Sequence, residues 1–285
     1  MPRSGNHLGA ILTTASALAF VINDAAMKWA VQVIPLFDLL FVRGVIAVPL
    51  ICLAMLVTRQ FITSLSRADG VLIGCRLLAE IAITYCLLIA LKNMPISHVT
   101  LILQAAPLGL TLVAAVMMGE QVSMRRWIAI IFGFIGVIII IRPGTAGFSP
   151  YAIFAVLTVI FIVIRDMVTR RLSPIIPSLP IAALTAFVIL LLAMVMMPAT
   201  GSVMPTLSQL AVITIAAVAI LTAYMLSVII MRVGDVGFVA QFRYTGIVWA
   251  VIIGFFAFGE VPDIWTVAGA LLIMGTGIYT LRIDR

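Results

Sequence analysis

Ten apolar stretches, each long enough to cross a lipid bilayer as a helix, follow one another along this chain. Short connections that carry Pro, Gly, Ser or Arg separate them. The predicted spans cover residues 8–29, 36–57, 70–91, 96–118, 125–142, 150–168, 178–197, 207–231, 236–258 and 263–281. This pattern predicts an all-α polytopic membrane protein with ten transmembrane helices.

The composition supports this class, because 64% of the residues are hydrophobic and only 9% are charged. The short connections leave no room for a soluble catalytic or nucleotide-binding domain. Ten arginines fall on the side of the membrane that holds the amino terminus, whereas Lys28, Lys92 and Arg142 fall on the opposite side. The positive-inside rule therefore places both termini in the cytoplasm, and the net charge of +7 reflects topology and lipid contact, with no nucleic-acid footprint.

Two parts of the sequence repeat after about half the chain. The matching positions are Asp24 and Asp166, Lys28 and Arg170, and Pro35 and Pro177, each 142 residues apart, and Gly119–Glu120 and Gly259–Glu260, 140 residues apart. The agreement predicts a duplication into residues 1–147 and 148–285, with five spans in each half. Since five is odd, the second half enters the membrane from the opposite face, which gives two inverted five-helix repeats suited to alternating access.

These motifs carry a family resemblance over essentially the whole chain. Helix-kinking Pro107 precedes an apolar run into Gly119–Glu120, and Gly259–Glu260 precedes a Gly-rich last helix. In this the chain resembles EamA-type members of the drug/metabolite transporter superfamily. The resemblance implies a multi-pass carrier of small metabolites in the bacterial inner membrane, with amino-acid exporters among similar proteins. Ile247 stands where Pro107 would repeat, so the second half departs from the pattern.

Charged residues inside the spans are candidate functional residues, because an ionisable group in hydrocarbon costs roughly 2.5 to 3.5 kcal/mol. Asp24 and Arg43 flank the first connection at similar depth, roughly 10 to 15 Å in, and we predict that they pair. The pair could fix helix packing, or it could open and close as a gate.

Further charges lie on the third and sixth spans. Arg76 and Glu80 are four residues apart, hence on one helical face. Arg165 and Asp166 lie near the inner end of the sixth span. We predict that these residues form gating charge pairs.

The ninth span supplies the predicted carboxylate contact, Arg243, whose guanidinium has no matching acid nearby except Asp235. A structural pairing of Arg243 with Asp166 or Glu80 is the alternative. With Glu80 as the ammonium acceptor, Arg243 would bind a zwitterion. The other candidate binding residues are polar or aromatic side chains on the same or neighbouring spans: Tyr244, Trp249, Tyr85, Thr84, Gln104 and Asn23. For Tyr85, Trp249 and Tyr224, ordinary packing is an equal alternative.

Other signals have structural interpretations. Glu120 and Glu260 precede Ser123 and Asp263, which read as helix N-caps, so anchoring a turn is the expected role. Small residues on the last span of each half, Gly133 and Gly136 with Gly269, Gly275 and Gly277, indicate close packing, either within the protein or in a dimer. The sequence therefore leaves monomer and dimer open.

Three function classes follow. We expect a secondary transporter of amino acids or related small metabolites, working in export. An uptake carrier for a nucleoside-linked metabolite such as S-adenosylmethionine is the alternative. The third class, an intramembrane enzyme, lacks a Ser/His/Asp set, and no cofactor or metal site is indicated.

Overall fold

The computed structural model describes residues 3–62, 64–118, 123–145, 147–173, 175–200, 205–230 and 240–283. Within these ranges the regular elements are all helices. They are α1 (Arg3–Val33), α2 (Leu36–Thr58), α3 (Arg67–Asn93), α4 (Ile96–Leu103), α5 (Ala106–Met118), α6 (Met124–Ile141), α7 (Ala152–Arg170), α8 (Ser178–Thr200), α9 (Leu207–Ile230), a 3-10 helix (Ala240–Tyr244), α10 (Thr245–Phe258) and α11 (Ile264–Ile283). The first Gly-Glu motif, Gly119–Glu120, and Asp235 lie outside the described residues.

In the described part of the chain, nine helical segments are long and apolar enough to cross a membrane. A tenth segment, Ile264–Thr280, is apolar but shorter. The fourth candidate segment, Ile96–Val116, joins α4 and α5, and the ninth, Gln241–Phe258, joins the end of the 3-10 helix to α10. The predicted all-α polytopic membrane fold is therefore confirmed.

Two of the spans are interrupted, and they are interrupted at matching places. In the fourth span α4 ends at Leu103 and α5 begins at Ala106, one residue before Pro107. Proline has no N–H to bond the Leu103 carbonyl, so the regular helix cannot continue through this point. In the ninth span the change from 3-10 to α-helix falls between Tyr244 and Thr245, 140 residues after the junction at Gln104. The second interruption forms without a proline.

The principal helix contacts join early helices to late ones. α1 packs on α9, α3 on α7, α2 on α8 and α6 on α11. If each span is exchanged for the one five spans away, the α1–α9 pair becomes the α7–α3 pair, and the other two pairs map onto themselves. This pattern is what two related halves would produce, and the division at residues 147 and 148 stays a prediction.

Close packing inside the protein explains most of the glycines on α6 and α11. A Cβ added to Gly269 would lie 2.8 Å from the Gly136 carbonyl oxygen and 2.5 Å from a carbon of Ile140. A Cβ on Gly133 would overlap Leu108. These glycines therefore serve packing inside the protein, whereas Gly275 has nothing within 4 Å of the position a Cβ would take.

Burial is uneven along the bundle. Among the largest fully buried side chains described, seven lie within seven residues of the two connections at Ile34–Pro35 and Met94–Pro95: Met27, Leu39, Leu91, Ile96, Val99, Leu101 and Ile102. We call the end of the bundle that carries these connections the Lys28 end. The opposite end carries the carboxyl-terminal part of α7, where Thr169 and Arg170 are exposed.

Candidate functional site

Asn23, Asp24 and Arg43 form one polar cluster between α1 and α2, the Asn23 cluster. Arg43 Nη2 donates to Asn23 Oδ1 at 3.1 Å, and Asn23 Nδ2 donates to Asp24 Oδ1 at 2.9 Å. Asn23 is buried, while Asp24 and Arg43 are half-buried. We predicted a direct pair between Asp24 and Arg43; instead the amide of Asn23 connects them, because it offers an acceptor to the guanidinium and a donor to the carboxylate at once.

A second cluster joins α3 to α7 and consists of Arg76, Glu80, Arg165 and Asp166, the Glu80 cluster. Arg76 Nη2 lies 3.5 Å from Glu80 Oε1, and Arg165 Nη1 lies 3.4 Å from the same oxygen. Arg165 Nε contacts Asp166 Oδ1 at 2.9 Å. The predicted Arg76–Glu80 contact is thus confirmed, and the cluster holds two positive and two negative charges.

Two threonines that sequence reasoning missed fix the orientation of Arg76. Arg76 Nε donates to Thr169 Oγ1 at 3.0 Å, and Arg76 Nη1 donates to Thr185 Oγ1 at 3.4 Å. Thr169 follows Arg165 by four residues on α7, so both face α3. That spacing could have pointed to Thr169, whereas Thr185 lies on α8 and has no local signal.

Tyr224 on α9 lies between the two clusters. Its hydroxyl interacts electrostatically with Glu80 and Arg165 of one cluster and with Arg43 of the other. Its ring meets the Phe20 ring edge to face, with centroids 5.8 Å apart. The residue is 38% exposed, so Tyr224 presents a polar group and an aromatic face beside both clusters.

Arg243 and Tyr244, two predicted binding residues of the ninth span, differ in their exposure. The side chain of Arg243 is exposed, and its backbone carbonyl accepts a hydrogen bond of 3.2 Å from Gln104 Nε2. Tyr244 is buried, and a Cβ on Gly277 would overlap its hydroxyl group. In the described residues Glu80 is paired with Arg76 and Arg165, so Arg243 is not its partner here.

The remaining predicted residues make no cluster with Arg243 in the described contacts. Tyr85 is 45% exposed and Thr84 is half-buried. The indole Nε1 of Trp249 is buried without a hydrogen-bond partner among the described residues. For these three residues a binding role stays a prediction.

Glu260 makes contacts that its predicted role as a turn anchor does not include. Its Oε1 lies 2.9 Å from Lys28 Nζ, and its Oε2 accepts the backbone N–H of Ile96 at 2.8 Å. Lys28 Nζ also donates to the Met94 carbonyl and lies 5.2 Å from the centre of the Phe258 ring. Glu260 therefore connects α1 with the start of α4.

A neighbouring network holds the start of α11. Asp263 caps this helix as predicted, because its Oδ1 accepts the Thr266 N–H at 2.9 Å. Asp263 Oδ2 pairs with Arg142 at 2.5 Å, and the Thr266 hydroxyl contacts His98 Nε2 at 2.7 Å. Burial raises the pKa of the Asp263 carboxyl, but the hydrogen bonds from Thr266 and the Arg142 guanidinium outweigh it and hold that pKa below its usual range.

Comparison with known proteins gives matches over both halves of the chain. Residues 7–142 match the EamA-like transporter family. The pseudopaline exporter CntI of Pseudomonas aeruginosa is 25% identical over 278 residues, which cover 97% of each chain. The S-adenosylmethionine uptake transporter of Rickettsia bellii is 26% identical over 204 residues, which cover 71% of this chain and 68% of the relative.

Other similar proteins agree on the class and the fold. A riboflavin transporter of Rhizobium johnstonii is 26% identical over 195 residues, 67% of this chain and 64% of the relative. One solved crystal structure has the same fold, with a TM-score of 0.67 at 18% identity, covering 98% of this chain and 99% of that one.

The helical bundle and its buried charges, together with these relatives, define a multi-pass membrane transporter. Within that class, residues 7–142 match the EamA-like transporter family, and this match supports the resemblance to EamA-type carriers of the drug/metabolite transporter superfamily that the Pro107 and Gly259–Glu260 motifs had indicated.

Proposed function

We propose that this protein is a secondary transporter that moves zwitterionic amino acids or related small metabolites across the bacterial inner membrane. The observation that carries the proposal is the Glu80 cluster, which joins α3 of the first predicted repeat to α7 of the second. Charges inside a membrane protein are costly, and in transporters they mark substrate and ion pathways. The site therefore lies where the two halves would move against each other.

The chemistry of the two clusters suits a solute with one carboxylate and one ammonium group. A guanidinium presents a planar fork that matches the two oxygens of a carboxylate, and Arg165 or Arg43 can offer it. Glu80 and Asp166 supply acceptors for an ammonium group. Because positive and negative charges balance in the Glu80 cluster, a zwitterion can exchange partners with it without leaving a net buried charge.

Tyr224 and Phe20 extend this site with an aromatic surface on which an apolar part of the solute can pack. Arg243 was the first candidate for the carboxylate contact. The geometry favours Arg165 instead, since Arg165 touches Glu80 and Asp166 directly. Arg243 has an exposed side chain and meets Gln104 only through its backbone carbonyl.

Alternating access between the two repeats, residues 1–147 and 148–285, supplies the mechanism in this proposal. The dense packing at the Lys28 end and the exposed residues at the opposite end are what one of two access states would show. With both termini in the cytoplasm, the Lys28 end faces the periplasm, and this state opens towards the cytoplasm. Exchanging the packing of the two halves would then open the other face.

We propose export as the direction, in line with a pseudopaline exporter that matches the chain over nearly its full length. Uptake of a nucleoside-linked metabolite is the second candidate, favoured by the S-adenosylmethionine uptake transporters among the relatives. S-Adenosylmethionine also carries an amino-acid zwitterion, so the same contacts would hold it. Counterflow of radiolabelled solutes in liposomes tests these alternatives.

The proposal is tested on purified protein by a thermal-shift screen of metabolites, followed by counterflow of each solute that stabilises it. The Arg165→Gln variant should remain folded and lose saturable exchange. Arg171→Gln is the matched control, because Arg171 is exposed just beyond α7, and it should exchange normally. Normal exchange by the Arg165→Gln variant would rule out this site.

A further inference from the structure

Lys28 is a cation inside the most densely packed part of the protein. It is only 5% exposed, and its ammonium group has two acceptors there, Glu260 Oε1 at 2.9 Å and the carbonyl of Met94. Glu260 in turn uses its second oxygen to accept the N–H of Ile96 at 2.8 Å. One ion pair thus holds three places in the chain together: α1, the α3–α4 connection and the α10–α11 connection.

The two charges are matched to the helix ends that they touch. Met94 is the C-cap of α3, where backbone carbonyls give a partial negative charge, and Lys28 lies there. Ile96 is the first residue of α4, where free N–H groups give a partial positive charge, and the Glu260 carboxylate lies there. The pair therefore has a fixed direction, with the cation at one helix end and the anion at the next.

The position of the pair determines what it can do. The Lys28 end contains the seven fully buried side chains named above, including Met27, Leu91 and Ile96. For a solute to leave the bundle at this end, α1, the α3–α4 connection and the α10–α11 connection must separate from one another. That separation requires the contacts of Lys28 with Glu260 and Met94 to break.

We propose that the Lys28–Glu260 pair is the latch that closes the Lys28 end and that it opens once in each transport cycle. This inference rests on the alternating access in the proposed function, but it does not depend on the identity of the solute. Removing one partner of a buried ion pair leaves the other charge uncompensated in the packed end. The ratio of closed to open molecules should then fall by a factor on the order of 100.

A distance measurement between two spin labels tests the latch without any substrate. The labels are placed on Gln32→Cys at the end of α1 and Val261→Cys in the α10–α11 connection, two exposed positions at the Lys28 end. The native cysteines are first replaced in the full-length protein, as Cys52→Ala, Cys75→Ala and Cys86→Ala. Pulsed electron paramagnetic resonance in lipid nanodiscs then reports the distance distribution.

The otherwise unaltered protein should show one dominant, short distance. Glu260→Gln, which keeps an oxygen for the Ile96 N–H but removes the charge, should move a large fraction of molecules to longer distances. Lys28→Met should do the same, whereas Lys92→Met, which removes an exposed cation near the same connection, should leave the distribution unchanged. If folded, monodisperse Glu260→Gln protein keeps the original distribution, the latch is refuted, whether or not Lys28→Met also folds.

The exchanged variant Lys28→Glu/Glu260→Lys tests the direction of the pair. It restores opposite charges but places a carboxylate against the Met94 carbonyl and an ammonium group against the Ile96 N–H. It should therefore remain open, and a return to the short distance would show that the helix ends do not contribute. A failure to find a zwitterionic solute would refute the proposed function and leave these distances unaffected.

Discussion

The α6–α11 crossing gives a sharp test of the packing, through the single substitution Gly269→Ala. An added Cβ would lie 2.8 Å from the Gly136 carbonyl oxygen and 2.5 Å from Ile140 Cγ1. Since comfortable contacts between carbon atoms begin near 3.5 Å, the Ile140 side chain must move by roughly 1 Å. The Gly136 carbonyl belongs to the backbone, so it can move away only if the two helices separate.

Overpacking of this kind costs about 1 to 3 kcal/mol, and we expect Gly269→Ala to lower the free energy of unfolding by that amount. Gly275→Ala is the matched control on the same helix, because nothing lies within 4 Å of its added Cβ. It should be neutral or slightly stabilising, since alanine favours a helix by about 1 kcal/mol over glycine. Thermal unfolding of the purified proteins in one detergent, followed by tryptophan fluorescence, compares them. Equal melting temperatures for the two variants would refute the close approach of α6 and α11.

Three further outcomes follow from the polar contacts. Asn23→Ala removes the amide that joins two charged neighbours, so it should cost about 1 to 3 kcal/mol in thermal unfolding, and an unchanged melting temperature would contradict the bridge. Glu80→Gln should destabilise by about 3 to 5 kcal/mol, and in a double-mutant cycle Glu80→Gln with Arg165→Gln should lose less than the sum of the single changes. Strict additivity would show that these two residues do not interact. Asp263→Asn should melt below the unaltered protein at neutral pH. Because the folded pKa of Asp263 lies below 3.8, its contribution is present above that pH and is lost as the pH falls through the folded pKa. The difference between the two proteins should therefore disappear in acid, and a constant difference would exclude the ionised carboxylate as its source.

The sequence predicted the parts of the structure that depend on local pattern. The spans follow from apolar length, the break in the fourth span from Pro107, and the Arg76–Glu80 contact from a spacing of four residues on one helix. The N-cap at Asp263 has the same local origin. Each of these features is determined by residues within one or two helical turns.

Contacts between distant helices could not be found in this way. Arg165 reaches Glu80 across 85 residues, and which helix faces α3 is decided only when the bundle packs. The similar depth of Asp24 and Arg43 predicted that they meet, but it did not show that the amide of Asn23 lies between them. The repeat aligns Lys28 with Arg170 and Glu260 with Glu120. It therefore gives no sign that Lys28 and Glu260 touch each other.

The pairing of early with late helices has a consequence for biosynthesis. α1 packs on α9, and α2 on α8, so these faces have no protein partner when the ribosome has made only the first half. Lipid must cover α1 until more than 170 further residues have been translated and inserted. Insertion of the spans and their assembly into a bundle are therefore separate stages for this protein. The charged side chains of α1 lie in the bilayer before the helices that later surround them are inserted.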